Sequence, residues 1–392
     1  MKQPVIIGFR TTFTGCLFDT PRTAILGLIE NQNTTIRGAF HLSIDYSSLA
    51  DRKQDQPYLS DVSESDKPWD LHKASNEELS KILATVDDDY ISHVKDRLRR
   101  CAPELVFAHT TPDERERTFK LHRAEFCRVR TCPVCQWRRS MLYIAKLMKA
   151  VPAVLEAFPT MRLIHLVLTI RNCSVNDLSK TIKEMNKSWQ RLTQRKRFRR
   201  AVKGFVRSTE VSYNAKTNEA HPHFHIMLFV PSWYFTKPEY YIAQAEWVTL
   251  WQQCARLDYA PSVHVKAFRQ NDEKGLAAAV HEVAKYTTKP EELIQAGAEW
   301  LATYIHQVRN LRFFSTGGII KKILGEIEQE YEDLIHTGEE ETDDSNILAQ
   351  SLFDWKNEVA RYRHKETRLN PNIPSPAGID IQRRETPPLP PP

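Results

Sequence analysis

GFVRSTEVSYN (204–214) and HPHFHIMLFV (221–230) flank a short polar turn at 215–218 and read together as a β-hairpin. Side chains two apart on a strand share a face, so His221, His223 and His225 line up on one side while Phe224 points into a core. Three alternating histidines are hard to explain as packing, because each buried imidazole needs its own polar partner. His223 and His225 can converge on one ion, and Pro222 holds the strand end extended. A turn centred near 216–217 places Glu210 opposite His223 as a third ligand, with His221 as its rival. A carboxylate in the set suits Mg²⁺ or Mn²⁺, whereas imidazoles alone favour later transition metals.

Outward from the hairpin the pattern alternates. RLIHLVLTIRN (162–172) reads as a buried strand. Residues 175–200 carry apolar positions at steps of three and four and end in the basic run RKRFRR. After the hairpin, 239–257 reads as a helix, SVHVKAF (262–268) as a strand and 275–289 as a helix. Strand, helix, hairpin, helix, strand, helix predicts an α+β fold: a central antiparallel sheet flanked by helices. Residues 291–335 read as helical apart from FFSTGG, HTGEEETDDS (336–345) as an acidic break, and ETPPLPPP (385–392) as disordered. Residues 76–100 read as one helix that follows an acidic linker at 51–75. The predicted division is an accessory region with that linker (1–95), a Cys-rich module (96–145), a catalytic domain (146–320), a helical C-terminal extension (321–364) and a Pro-rich tail (365–392).

The cysteine module is FCRVRTCPVCQWRRS (126–140). Cys127, Cys132 and Cys135 have zinc-ligand spacing, and a structural Zn²⁺ wants four ligands. Cys101 is the best fourth, with His109 and His122 as alternatives. Seven cysteines, three within nine residues, argue for metal ligation in a reducing compartment rather than for disulfides.

Net charge is only +6, but residues 120–207 hold 21 Lys plus Arg against 4 Asp plus Glu, while 51–90 hold 5 against 11. Such segregation fits a surface that faces a polyanion. Arg138 and Arg139 beside the cysteines, and Arg197, Arg199 and Arg200 in the basic run, are the expected phosphate contacts. No run of about twenty apolar residues suggests a membrane span, and the first residues lack the apolar core of a secretory signal. An intracellular, cytoplasmic protein is the expectation.

HEVAKYTTKP (281–290) completes the constellation. On a continuous helix, Glu282, Tyr286 and Lys289 fall on one narrow face. A salt-bridged surface would use the same spacing, Glu282 pairing with Lys285 or Lys289. With a metal site upstream, the triplet also makes sense as chemistry. Tyr286 can attack a phosphodiester, Lys289 can add charge at the phosphate and Glu282 can act as a general base.

HPHFHIML resembles the His-hydrophobic-His motif of the HUH endonucleases, and KYTTKP resembles their Tyr-x-x-Lys nucleophile helix. LVLTIRN (166–172) is similar to their first motif strand, and the cysteine stretch resembles a module of one branch. That branch is the single-tyrosine rolling-circle replication initiators of small bacterial and cyanobacterial plasmids. The resemblance covers roughly 98–320 and implies that Tyr286 nicks origin DNA and stays joined to the 5′ phosphate. The freed 3′ hydroxyl would prime synthesis, His223 and His225 would be metal ligands, and Glu282 would serve termination. It implies origin DNA, single-stranded or supercoiled, as partner, with a host helicase and polymerase, and it leaves room for an oligomer on DNA. A relaxase usually has its nucleophile near the N-terminus, and an HUH transposase is generally much shorter and lacks the cysteine module. A zinc-dependent DNA-binding regulator with an incidental His-x-His strand is the alternative from another class.

Overall fold

Two antiparallel sheets organise the described residues, and the hairpin that carries the histidines lies in the larger one. The structure, a computed structural model, describes residues 56–110, 119–268, 273–284, 288–324 and 347–370. All of these fall within one unit, Gln54–Ala377.

In chain order the described elements begin with α1 (Leu59–Val62), α2 (Lys67–Leu83) and α3 (Asp89–Arg99), then β1 (Glu104–Thr110), β2 (Phe119–Ala124) and α4 (Pro133–Ala157). Next come β3 (Met161–Thr169), α5 (Leu178–Gln194), α6 (Lys196–Ala201), β4 (Gly204–Asn214), β5 (Glu219–Pro231), α7 (Gln244–Ala255) and β6 (Val263–Ala267). The series closes with α8 (Glu273–Val283), α9 (Pro290–Ala296), α10 (Ala298–Val308), β7 (Phe314–Gly318), α11 (Ile319–Leu324), β8 (Ile347–Lys356) and β9 (Arg361–Leu369).

The five-stranded sheet runs β6-β3-β5-β4-β7. Its two faces are filled differently because the side chains of β5 alternate. Phe224, Ile226, Leu228 and Val230 pack under α5 and α7, against Met185, Trp189, Trp247 and Trp251. Met227 and Phe229 face the other way, onto Leu147 and Val151 of α4 and Val280 and Val283 of α8. Burying one such Leu, Ile, Val, Phe or Met side chain contributes roughly 1.5–3 kcal/mol, so this alternation fixes the register strongly. The histidines share parity with Met227 and therefore face the α4/α8 side.

The four-stranded sheet runs β2-β1-β8-β9 and packs its Phe107, Phe353 and Tyr362 with the α2–α3 pair. Here the sequence reading needs correction. The helical C-terminal region expected over 321–364 is helical at 321–324, but over 347–364 it is a strand hairpin paired to β1. ILAQSLFDWK alternates inward Ile347, Ala349, Ser351 and Phe353 at period two, but its partner strand lies some 240 residues earlier. The turn gives no glycine signal either: Ala360 takes the left-handed conformation at φ 50°. β9 also extends to Leu369, into the expected tail; the Pro-rich residues 371–392 lie outside the described residues.

The linker expected at 51–75 is, from residue 59 on, largely helical. Asp70 there is structural: it accepts from Ser60 Oγ at 2.6 Å and from the Tyr362 N–H at 2.9 Å, and Trp69 beside it is buried. The single helix expected at 76–100 breaks at 84–88, where Asp88 caps α3 by accepting from the Ile91 N–H at 2.8 Å. Such a cap is worth about 1 kcal/mol, enough to restart a helix there.

Candidate metal centre and nucleophile segment

The hairpin register pairs Glu210 with His223, Ser208 with His225 and Ser212 with His221. Glu210 Oε2 lies 2.8 Å from His225 Nε2 and 3.5 Å from His223 Nε2. The three donor atoms all fall within 4.8 Å of one another. His221 lies further along the same face and is not part of that group; its ring lies tilted beside that of His223, centroids 5.2 Å apart.

The donors fit a cation. The Nδ1–H of His223 donates to the His221 carbonyl at 3.1 Å, which leaves Nε2 as the atom facing the carboxylate. His225 Nε2 is buried and makes no hydrogen bond despite its closeness to Glu210. Either a proton or a cation must lie between such acceptors. Burial acts to raise the Glu210 carboxyl, but the two imidazoles beside it outweigh burial and hold it well below the usual carboxylate range.

His165, which the sequence reading passed over as part of a buried strand, belongs to this cluster. It sits on β3, beside β5, with Nε2 3.3 Å from His225 Nδ1. Glu282, on α8, brings Oε1 to 3.7 Å from His225 Nδ1 and 4.0 Å from His165 Nε2. The available signal was a histidine in RLIHLVLTI, on the strand face that also carries Leu163 and Val167.

The continuous helix expected through Lys289 is a second correction. α8 ends at Val283, and Lys289 is extended (φ −72°, ψ 136°) as the residue before α9. Pro290 explains this, since a residue preceding proline is driven out of the helical region. Glu282 and Lys289 thus do not share one helix face, and Lys289 Nζ lies 3.6 Å from Glu292. Tyr286 lies outside the described residues. On either side of it the chain is tied down. Ser140 Oγ donates to the Ala284 carbonyl at 2.5 Å, and the Thr288 hydroxyl meets the Tyr304 hydroxyl at 2.5 Å.

A third cluster gathers Cys101, Cys127, Cys132 and Cys135. The Cys101–Cys132, Cys101–Cys135 and Cys127–Cys135 sulfur separations are 3.5, 3.6 and 3.7 Å. A tetrahedron with Zn–S near 2.3 Å has edges of about 3.8 Å. Backbone N–H groups of Cys127, Arg128, Val129 and Cys135 donate to these sulfurs, as thiolates require. The neighbouring thiols, Cys101 foremost, hold Cys135 well below the usual thiol range, while burial pushes Cys132 well above it. His109 is turned elsewhere, 2.7 Å from Ser351 Oγ.

Two of the five arginines expected on phosphate are instead built into the protein. Arg138 is buried with its guanidinium over Trp69 and Trp137, at 5.2 and 5.5 Å. Arg197 is held by Glu246 at 2.5 and 2.9 Å and donates to the Glu239 and Tyr241 carbonyls, stitching the loop before α7. Arg199 and Arg200 are exposed and Arg139 is half-buried. Among the described residues no helix is long and apolar enough to cross a membrane.

The family model described as Replication protein matches residues 118–363. A "Protein rep" of Lactiplantibacillus plantarum is 32% identical over 286 residues, covering 70% of this chain and 87% of that protein. Its counterpart from Lentilactobacillus hilgardii is 31% identical over 308 residues, 76% of this chain and 95% of its own length. One from Streptococcus pneumoniae serotype 2 is 29% identical over 279 residues, 70% and 85% respectively. No solved structure matches the chain.

Proposed function

The chain belongs to the replication-protein family of plasmid initiators, and from that premise we propose that it nicks one strand of plasmid origin DNA with Tyr286 as nucleophile. The observation that carries this reading is the meeting of Glu210, His223 and His225 on the sheet face beneath α8, whose chain continues into Tyr286. On this reading the five-stranded sheet is an HUH-type nuclease sheet, and rolling-circle replication begins at the 3′ hydroxyl it releases.

The chemistry assigns a task to each group. The Tyr286 oxygen gives up its proton and attacks phosphorus; the P–O3′ bond breaks, and the 3′ oxygen leaves as a hydroxyl. The 5′ phosphate remains on Tyr286. Mg²⁺ or Mn²⁺ held by Glu210, His223 and His225 would polarise the phosphate oxygens when bound. Lys289, half-exposed three residues on, adds positive charge, and Arg139, Arg199 and Arg200 offer contacts along the strand. The work takes place on plasmid DNA in the cytoplasm, with a host helicase and polymerase downstream, and an oligomer on DNA is compatible with it. The test is incubation of the protein with origin oligonucleotides and Mn²⁺, followed by a denaturing gel. A covalent adduct is expected, and its absence with every origin strand tested would overturn the reading.

Glu282, with its side chain 34% exposed, is assigned to activating water when replication terminates. Glu282→Ala should leave first cleavage by Tyr286 within a few-fold of wild type and slow release of trapped DNA by about 10²–10⁴-fold, so the adduct accumulates. Equal release by both proteins would return Glu282 to a packing role. Loss of first cleavage would place its action on His225 instead.

The cysteine cluster is assigned a structural Zn²⁺ held by Cys101, Cys127, Cys132 and Cys135. Native mass spectrometry should find one zinc per chain, and Cys101→Ser should lose it with a clear drop in melting temperature. The cluster lies within the core that joins α2, α3 and β1, so the fold there should loosen without the ion. Full zinc occupancy in Cys101→Ser would exclude Cys101 as the fourth ligand.

A further inference from the structure

The two ring nitrogens of a metal-ligating histidine are not independent. Whichever nitrogen faces the ion must be bare, so the proton sits on the other and needs an acceptor that also fixes the plane of the ring. His223 has its acceptor in the backbone, the His221 carbonyl at 3.1 Å from Nδ1. Among the described residues, the corresponding nitrogen of His225 faces no backbone carbonyl at that range; what lies beside it is His165 Nε2, at 3.3 Å.

We propose that His165 is a positioning residue that accepts a hydrogen bond from His225 Nδ1–H and so aims the bare Nε2 of His225 at the ion site. The inference rests on reading Glu210, His223 and His225 as a divalent-cation site.

Several features make His165 suited to this task. It is buried, as is His225, so water does not compete for the bond. Its ring lies nearly parallel to that of His225, with centroids 5.5 Å apart and planes at 11°, and Phe268 stacks on it at 5.3 Å. The strand register holds it there: His165 opposes Met227, and Val167 opposes His225. Glu282 Oε1, 3.7 Å from His225 Nδ1, adds negative charge on the side where the proton must stay. His165, His225 and Glu282 are also close enough to surround a cation themselves. That arrangement would require His225 to be bare at both nitrogens while it serves Glu210 and His223, which makes it an imidazolate. A proton at Nδ1 keeps the ring neutral and satisfies the same three groups.

The test uses the full-length protein and two variants. His165→Leu removes the acceptor and keeps the bulk apolar; His165→Gln can return an oxygen near the position of Nε2. Mn²⁺ affinity, measured by electron paramagnetic resonance without DNA, should weaken by about 10–100-fold in His165→Leu. It should stay within about threefold of wild type in His165→Gln, and metal-free DNA binding should be unchanged in both. Histidine-selective ¹⁵N NMR of the wild type with Mg²⁺ should show the His225 proton on Nδ1; this readout needs no variant to fold. Wild-type Mn²⁺ affinity in His165→Leu, or a proton on His225 Nε2 with Mg²⁺ bound, would overturn the proposal. Wild-type protein that binds no Mn²⁺ at all would instead remove the ion site, and the proposal with it.

Discussion

Tyr286→Phe should abolish the covalent protein–DNA adduct while DNA binding stays within about twofold of wild type. The substitution removes one oxygen and keeps the ring, so it touches the attacking atom and little else. Loss of a nucleophile typically costs 10⁴-fold or more, on the order of the loss seen when a hydrolase loses its attacking side chain. The flanking anchors argue against a folding defect. Ala284 and Thr288 are bound to Ser140 and Tyr304, and neither contact involves the substituted residue. Nor does another tyrosine nearby replace it readily: burial pushes the Tyr304 hydroxyl up to about 12, although its bond to Thr288 works the other way, and the residue is 1% exposed. The measurement is a denaturing gel of labelled origin strand with Mn²⁺. An adduct of undiminished yield in Tyr286→Phe would show that a different residue attacks, and the assignment would fall.

The site was legible where its geometry is local and hidden where it is not. Glu210 and His223 face each other across a tight turn, so counting residues from 215–218 was enough to pair them. Cys101 meets the other cysteines because β1 and β2, which lie between it and Cys127, pair antiparallel and bring the chain back. His165 is different. Its neighbour His225 is 60 residues away, and nothing in a strand's own alternation says which strand will lie beside it. The β8–β9 hairpin was hidden for the same reason, made worse by a turn that places Ala360 where glycine would have announced it. The helix at 281–290 failed on a local rule: Pro290 overrode a periodicity that otherwise read as helical. Arg138 and Arg197 show the limit of charge counting. Basic density marks a surface that can face a polyanion, but it cannot tell an arginine stacked on tryptophan from one facing solvent.

Removal of the ion should have the second largest effect. Cleavage should fall by on the order of 10³-fold in chelator and return with Mn²⁺ or Mg²⁺, and His223→Ala or His225→Ala should reproduce the loss with DNA binding kept. The third ligand can be chosen by a reading that does not depend on catalysis. A cation that binds only the folded state stabilises it by about 2.7 kcal/mol at a hundredfold excess over Kd, which raises the melting temperature. In the wild type that rise should appear on addition of Mn²⁺. Glu210→Gln should abolish it, because the amide keeps the shape but removes the charge that lies 2.8 and 3.5 Å from the two imidazoles. His221→Ala should preserve most of it, since that ring stands outside the close group of donors. The opposite pair of outcomes would make His221 the ligand, and would mean that the ring turns inward when the ion arrives. Cleavage undiminished in chelator would sink the metal role altogether.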